Sequence, residues 1–395
     1  MPRHSLGEGF RLSLLQAAAF AGLGVYLPFF PLWLENQALT AAQIGVILAV
    51  PMVTRIVAVA PLMAYADGSL GPRRLLIGAS LAAATIYAVL SFASGPLAIG
   101  LLVFMLALAQ APIIPTSDLI ALGAMKRNPR LDYGRLRLWG SVAFLAANLS
   151  GGYLFGVAVP DAILWSLCGL ALLAALAALL AVPPRTANKV GPTRHLSAQT
   201  EAGPPFGFWL LVGAAACVQA SHAAVYGFGS LHWREIGFTN AAVGFLWGLG
   251  VAAEILAFLA LGRSVGSAAA ALPLVMVGGL AAAARFAAMA LTASFAASCV
   301  LQLLHGASFG LTHLGTMAAV AHLVPSASRG RAQGIVSAAM ALAMAAATVM
   351  SGALFRSAGP LVFATMVPLA ALGFALAWLA ARVLDAQPQR AGEGG

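Results

Sequence analysis

Runs of mostly apolar residues, each long enough to cross a bilayer, recur twelve times along this chain. They lie at 10–33, 42–65, 75–94, 97–122, 136–159, 162–182, 206–231, 241–262, 269–291, 296–323, 332–355 and 361–382. A helix needs about 20 such residues to span the hydrocarbon of a membrane. Backbone groups in lipid must be satisfied within the segment, so each run is expected to be helical. Only 8% of the residues are charged, against about 25% in a soluble domain. A soluble fold would lack side chains to cover its surface. The expected fold class is therefore all-α and integral to a membrane, with twelve transmembrane helices.

The charges report orientation. Lys and Arg favour cytoplasmic loops. With the N-terminus inside, 17 of the 21 Lys and Arg fall in cytoplasmic segments. The outer loops hold only Arg234 and Arg356, and Arg55 and Arg285 lie within spans. The net charge of +10 therefore records topology, and no nucleic-acid partner is expected. An even number of spans places both termini in the cytoplasm, as for a multi-pass protein of the inner membrane. The Pro-rich, polar stretch 183–205 reads as a flexible cytoplasmic linker. It divides the chain into an N-terminal six-helix half, 1–182, and a C-terminal six-helix half, 206–395. Two six-helix bundles joined this way match the plan of the major facilitator fold. A monomer is expected. Cys168, Cys217 and Cys299 sit in apolar runs without a CxxC or Cys/His cluster, so they read as inert helix residues, with no metal.

An ionisable group deep in a span costs about 2.5–3.5 kcal/mol on insertion scales, so by default it marks function. The candidates are Arg55, Asp118, His222, Glu254, Arg285, His305 and His313, with Arg137 just inside span 5. Asp118 and Arg137 flank one cytoplasmic turn at comparable depth, so they can pair. Arg137 can also offer its planar fork to a substrate carboxylate, or snorkel to the headgroups. Arg285 and His305 flank the outer turn near Ser294, each a few turns away, and can also meet. His305 and His313 are eight residues apart, about 80° around a helix, so they share a broad face. Such histidines serve either as helix–helix hydrogen bonds or as proton carriers. Glu254 has no partner at matching depth. It reads either as a proton carrier in low dielectric or as a buried group bonded to backbone or Ser.

Two motifs mislead. Gly306-Ala307-Ser308-Phe309-Gly310 fits G-x-S-x-G, but a nucleophile elbow needs a strand, a sharp turn and a helix. Mid-span, close glycine packing is the ordinary reading. Gly71-Pro72-Arg73-Arg74 is basic and glycine-led but lacks the phosphate-cradling pattern, so ATP-driven pumping is not expected.

The stretch Tyr133-Gly134-Arg135-Leu136-Arg137-Leu138-Trp139-Gly140-Ser141 resembles the signature of the lactose-permease-like branch of the major facilitator superfamily. Ser221 to Phe228, Gly250 to Glu254, Leu304-His305, Thr312-His313-Leu314 and Pro115 to Asp118 are similar to 3-phenylpropionate permease-like proteins within it. The likeness covers nearly the whole chain. It implies a proton-coupled symporter of aromatic carboxylates. By the same resemblance Asp118 and Arg137 match a substrate-binding pair, and Arg285 and His305 match a coupling network. Ser308 stands where that branch carries an acid, so coupling must use another group, Glu254 or Asp118. The loop motif between spans 2 and 3 is degraded. Asp67, Arg73 and Arg74 survive, either to gate helix movement or, for Asp67, as a plain helix-end charge.

The expected function is secondary transport of a small carboxylate by alternating access. The substrate would meet Arg55, Asp118, Arg137, Arg285, His222, Trp139 and Trp247. Protons would use Asp118, Glu254, His305 and His313. The partners are the substrate, protons and the bilayer, and no cofactor is expected beyond the proton gradient as energy source. Export by proton antiport and a membrane-embedded enzyme are the alternatives.

Overall fold

The computed structural model describes residues 3–68, 70–156, 161–181, 204–261, 268–326 and 328–385. Residues 183–203 of the expected 183–205 linker lie outside these, as does the side chain of Asp67. The described chain is helical: α1 (Arg3–Asn36), α2 (Ala41–Asp67), α3 (Gly71–Leu90), α4 (Pro96–Gln110), α5 (Ile113–Arg127), α6 (Tyr133–Leu154), α7 (Ala162–Ala181), α8 (Phe206–Ala220), α9 (Ala223–Glu235), α10 (Asn240–Leu261), α11 (Ala268–Met289), α12 (Phe295–His305), α13 (Thr312–Leu323), α14 (Arg329–Ala358), α15 (Leu361–Ala364) and α16 (Val367–Asp385). α4 with α5, α8 with α9, α12 with α13, and α15 with α16 each form one interrupted span, so twelve spans result. Eleven of them are apolar enough to cross a membrane by composition alone. α6 falls short because Arg135 and Arg137 open it and Asn148, Ser150, Gly151 and Gly152 fill its far end.

Turn chemistry sets the ends. Thr40 and Gln43 form a reciprocal capping box at the start of α2, at 3.3 and 2.9 Å. Asp132 accepts from the Arg135 N–H at 2.7 Å and starts α6 three residues before the expected 136. α3 begins at Gly71 rather than 75, where Pro72 suits a first turn.

The described residues fall into two compact units. One lies within Met1–Ser197 and takes in Thr239–Phe245; the other lies within Ala198–Phe238 and Leu246–Gly395. In the first, α1 packs on α6 and α7, and α3 packs on α7. Gly24 of α1 lies so close to the Phe144 carbonyl of α6 that a Cβ could not fit. Such close approach by small residues is the usual packing device in lipid. In the second unit, α8 packs on α14 and α16, and α11 packs on α13 and α16. The core there is built from Phe208, Leu211, Val275, Val320, Val336 and their neighbours.

Two interruptions in the second unit position polar side chains in its interior. Between α8 and α9, the side chains of Ser221 and His222 both bond the Val218 carbonyl, at 2.6 and 3.0 Å. Side-chain competition for helix carbonyls bends a helix. Between α12 and α13, residues Gly306–Leu311 form a π turn. Gly306 lets α10 approach closely at this point, because a Cβ there would stand 2.5 Å from the Ala253 carbonyl.

Candidate functional site

Arg285 of α11 is the centre of a buried polar network in the second unit. It is 1% exposed. Its Nη1 donates to His305 Nδ1 at 3.1 Å and lies 3.5 Å from the Ser308 hydroxyl. Its Nη2 donates to Gln302 Oε1. Its Nε–H has no hydrogen-bond partner among the described residues. The acceptors are held in turn. Gln302 donates its amide to the Leu246 carbonyl at 3.0 Å, which aims its oxygen at Arg285. His305 receives a proton donor at Nδ1, so in the neutral ring its own proton sits on Nε2. That nitrogen faces Glu254 Oε2 at 3.8 Å. Glu254 therefore has a partner that depth along the spans did not predict. α10 and α12 are not consecutive spans, so no single turn relates the two residues.

His222 is fully buried. Its Nδ1 lies 3.0 Å from the Val218 carbonyl and its Nε2 lies 3.0 Å from the Ser308 hydroxyl. A carbonyl only accepts, so Nδ1 carries the proton and, in the neutral ring, Nε2 accepts from Ser308. Rings enclose it: Phe286 at 5.1 Å, His305 at 5.6 Å, Tyr226 at 5.8 Å and Phe309 at 5.9 Å between centroids. The sequence expectation placed His222 in contact with substrate; here both of its ring nitrogens are engaged within the protein. Trp247 is also buried; its Nε1–H donates to Ser230 at 2.9 Å and its ring stacks on Tyr226 at 5.7 Å.

The π turn aligns His305, Phe309 and His313 in one column. Their rings follow at 5.1 and 6.3 Å, tilted by 23° and 3°. A plain α-helix would have left the two histidines about 80° apart. The wider turn removes that offset, and the broad shared face becomes a single stack.

In the first unit, Asp118 and Arg137 do not form the expected ion pair. Asp118 accepts from Gln16 Nε2 at 3.0 Å. Arg137 lies over the Phe20 ring, 3.6 Å from its centroid, a cation–π contact. The Tyr133 hydroxyl lies beside both Asp118 and Arg137. Gln16 and Phe20 come from α1, which runs alongside α6 and supplies partners that the hairpin argument left out. Arg55 and Trp139 are exposed on their helices, and neither is drawn into a polar cluster among the described residues. At the α2–α3 turn, Arg73 Nη2 donates to the Leu179 carbonyl at 3.3 Å, in the last turn of α7. A cation on the final carbonyls of a helix is favourable, which makes Arg73 a brace between α3 and α7. Arg74 is exposed.

A family model, the MFS_1 like family, matches residues 10–365. This protein belongs to the major facilitator superfamily. Other likenesses agree. The probable 3-phenylpropionic acid transporter of Escherichia coli (strain K12) is 31% identical over 361 residues, covering 88% of this chain and 91% of that protein. The crystal structure of the nucleoside transporter NupG superposes with a TM-score of 0.77 at 17% identity, over 94% of this chain and 98% of that one. A bacterial homolog of the human lysosomal transporter Spinster, inward-facing and occupied, gives 0.73 at 15%, over 95% and 96%. These structures share the fold.

As a major facilitator protein the chain is a multi-pass membrane transporter and not an enzyme. The Ser308–His222 contact fits that reading. Both residues sit inside the buried network, with the Val218 carbonyl on the other His222 nitrogen. Three members of the transporter's network were missed as site residues: Gln302, Ser308 and Tyr226. Gln302 had a signal, since it is an amide in an apolar span one turn before His305. Ser308 was visible only as the serine of a misleading G-x-S-x-G match and as a missing acid.

Proposed function

We propose that this transporter moves a small aromatic carboxylate together with protons. The observation that carries the reading is Arg285, a buried cation whose hydrogen-bond acceptors among the described residues are all neutral. A guanidinium has five N–H donors. Two on Nη1 and one on Nη2 are committed, which leaves Nε–H and the second Nη2–H. Two adjacent donors are what a carboxylate accepts as a fork. The rings of Tyr226, Trp247 and Phe309 lie around the same network and suit an apolar, planar body. The Escherichia coli relative is named for a substrate with both features, a carboxylate and a phenyl ring.

Glu254 is the proton carrier in this reading, since His305 turns its Nε2 proton toward it. His305 and His313 then order the column beside it rather than carry the proton. Asp118, bonded by the neutral Gln16, is the second protonatable group, with Arg137 and Phe20 beside it. Rocking between inward- and outward-facing states follows the superfamily plan. The α2–α3 turn, with Asp67, Arg73 and Arg74, stiffens the cytoplasmic end. The excess of Lys and Arg in the inner loops supports an inner-membrane location with cytoplasmic termini.

Competition against uptake of radiolabelled 3-phenylpropionate in proteoliposomes tests the charge. Losing one member of a desolvated charge pair costs about 2–5 kcal/mol. The neutral amide, 3-phenylpropionamide, is therefore expected to compete at least about 30-fold less well. Competition within threefold would remove Arg285 as the carboxylate's partner.

A further inference from the structure

We propose that His222 is a positioning residue for the substrate-binding cation: through Ser308 it fixes where the Arg285 guanidinium points, without touching the substrate. The inference rests on the reading of Arg285 as the carboxylate's partner. The chain of bonds has one direction at each step. The Val218 carbonyl, freed at the α8–α9 break, accepts from His222 Nδ1 at 3.0 Å. His222 Nε2 accepts the Ser308 hydroxyl proton at 3.0 Å. With its own proton committed, the Ser308 oxygen can only accept, and the donor it faces is Arg285 Nη1 at 3.5 Å.

The opposite edge of the guanidinium is held by the same logic. Leu246 orients Gln302, and Gln302 accepts from Nη2. Two backbone carbonyls thus set the plane of the fork. The one in α10 acts through a single side chain, and the one at the helix break acts through two. A guanidinium presents its donors in a plane, so rotating that plane misaligns the fork for a carboxylate. His222 has both ring nitrogens engaged within the protein, and four aromatic rings lie 5.1 to 5.9 Å from its own, so it has no free polar atom to offer a substrate. Ser308 lies in the π turn, whose wider winding carries its hydroxyl between His222 and Arg285.

The test is concentration-dependent uptake of radiolabelled 3-phenylpropionate by the full-length protein in liposomes. The variants are Ser308→Ala, Ser308→Thr, His222→Ala, the double variant Ser308→Ala/His222→Ala, and Arg285→Gln. Ser308→Ala removes one oxygen and leaves His222 on Val218, so it keeps the test open even if His222→Ala does not fold. A positioning role predicts a KM raised about tenfold by Ser308→Ala, with the maximal rate within twofold, because one bond to a charged donor is lost. Ser308→Thr restores the parent KM. The double variant is no worse than the poorer single, because both act through one link. Arg285→Gln abolishes uptake. If Ser308→Ala leaves KM unchanged while Arg285→Gln abolishes uptake, the positioning inference is overturned and the carboxylate reading stands. If Arg285→Gln transports with the parent KM, the carboxylate reading fails and takes the positioning role with it. Additive losses in the double variant would also overturn the inference, as would a fall in maximal rate at constant KM.

Discussion

A deletion inside the π turn is expected to be tolerated by the fold and not by transport. Each α-helical residue advances the chain about 1.5 Å and turns it about 100°. His305 and His313 are eight residues apart, which in a plain helix would leave them about 80° out of line. Without Ala307 they would be seven apart, about 20° short of two full turns. The flanking helices α12 and α13 therefore keep their faces when the turn relaxes to α. The buried side chains of α13, Thr312, Thr316, Ala319 and Val320, stay in their core. Ser308, in contrast, moves about 1.5 Å and 100° relative to one flank. That displacement breaks its bonds to His222 and Arg285. Removing Ala175 from the uninterrupted α7 has the opposite outcome, since it turns the buried Ala177, Ala178 and Ala181 out of register. The measurements are thermal unfolding of purified protein and uptake of labelled 3-phenylpropionate in liposomes. The Ala307 deletion should melt within about 4 °C of the parent and lose at least about tenfold in uptake efficiency. The Ala175 deletion should not accumulate as folded protein. If both deletions unfold the protein alike, the π turn is not an absorbed extra residue and the reasoning fails.

Three further outcomes are expected at the site. Arg285→Lys keeps the charge but cannot span His305, Ser308 and Gln302 while offering a fork, so KM for the carboxylate should rise about 10- to 100-fold; an unchanged KM counts against bidentate binding. Glu254→Gln should keep exchange of labelled for unlabelled substrate but abolish accumulation driven by a proton gradient; retained accumulation assigns the proton elsewhere. Asp118→Asn and Arg137→Ala should each lose transport while inserting normally into the membrane, as judged by yield in the detergent-extracted membrane fraction; unimpaired uptake in both would remove the first-unit cluster from the pathway.

The spans were legible because lipid forces the pattern: apolar length and the placement of Arg locate helices and turns with little help from packing. The meeting of Arg285 and His305 was legible too, because consecutive antiparallel helices bring residues equidistant from a turn to one depth. What escaped were contacts that depend on the winding of a helix or on neighbours distant in sequence. A fixed turn of about 100° per residue placed His313 off the axis of His305, and the π turn restored it. Asp118 and Arg137 share a depth beside one turn, yet Gln16 and Phe20 of α1 engage them instead. Glu254 looked unpartnered because α10 and α12 share no turn. The engagement of both His222 ring nitrogens, by the Val218 carbonyl and Ser308, likewise joins elements distant in sequence.

The most direct test of the account is accumulation of radiolabelled 3-phenylpropionate by the purified protein in liposomes with an imposed inward proton gradient. Proton-coupled carboxylate symport predicts accumulation above equilibrium that collapses on adding a protonophore and is absent in Arg285→Gln. Folded protein that accumulates no more than empty liposomes, or uptake indifferent to the gradient, would contradict it.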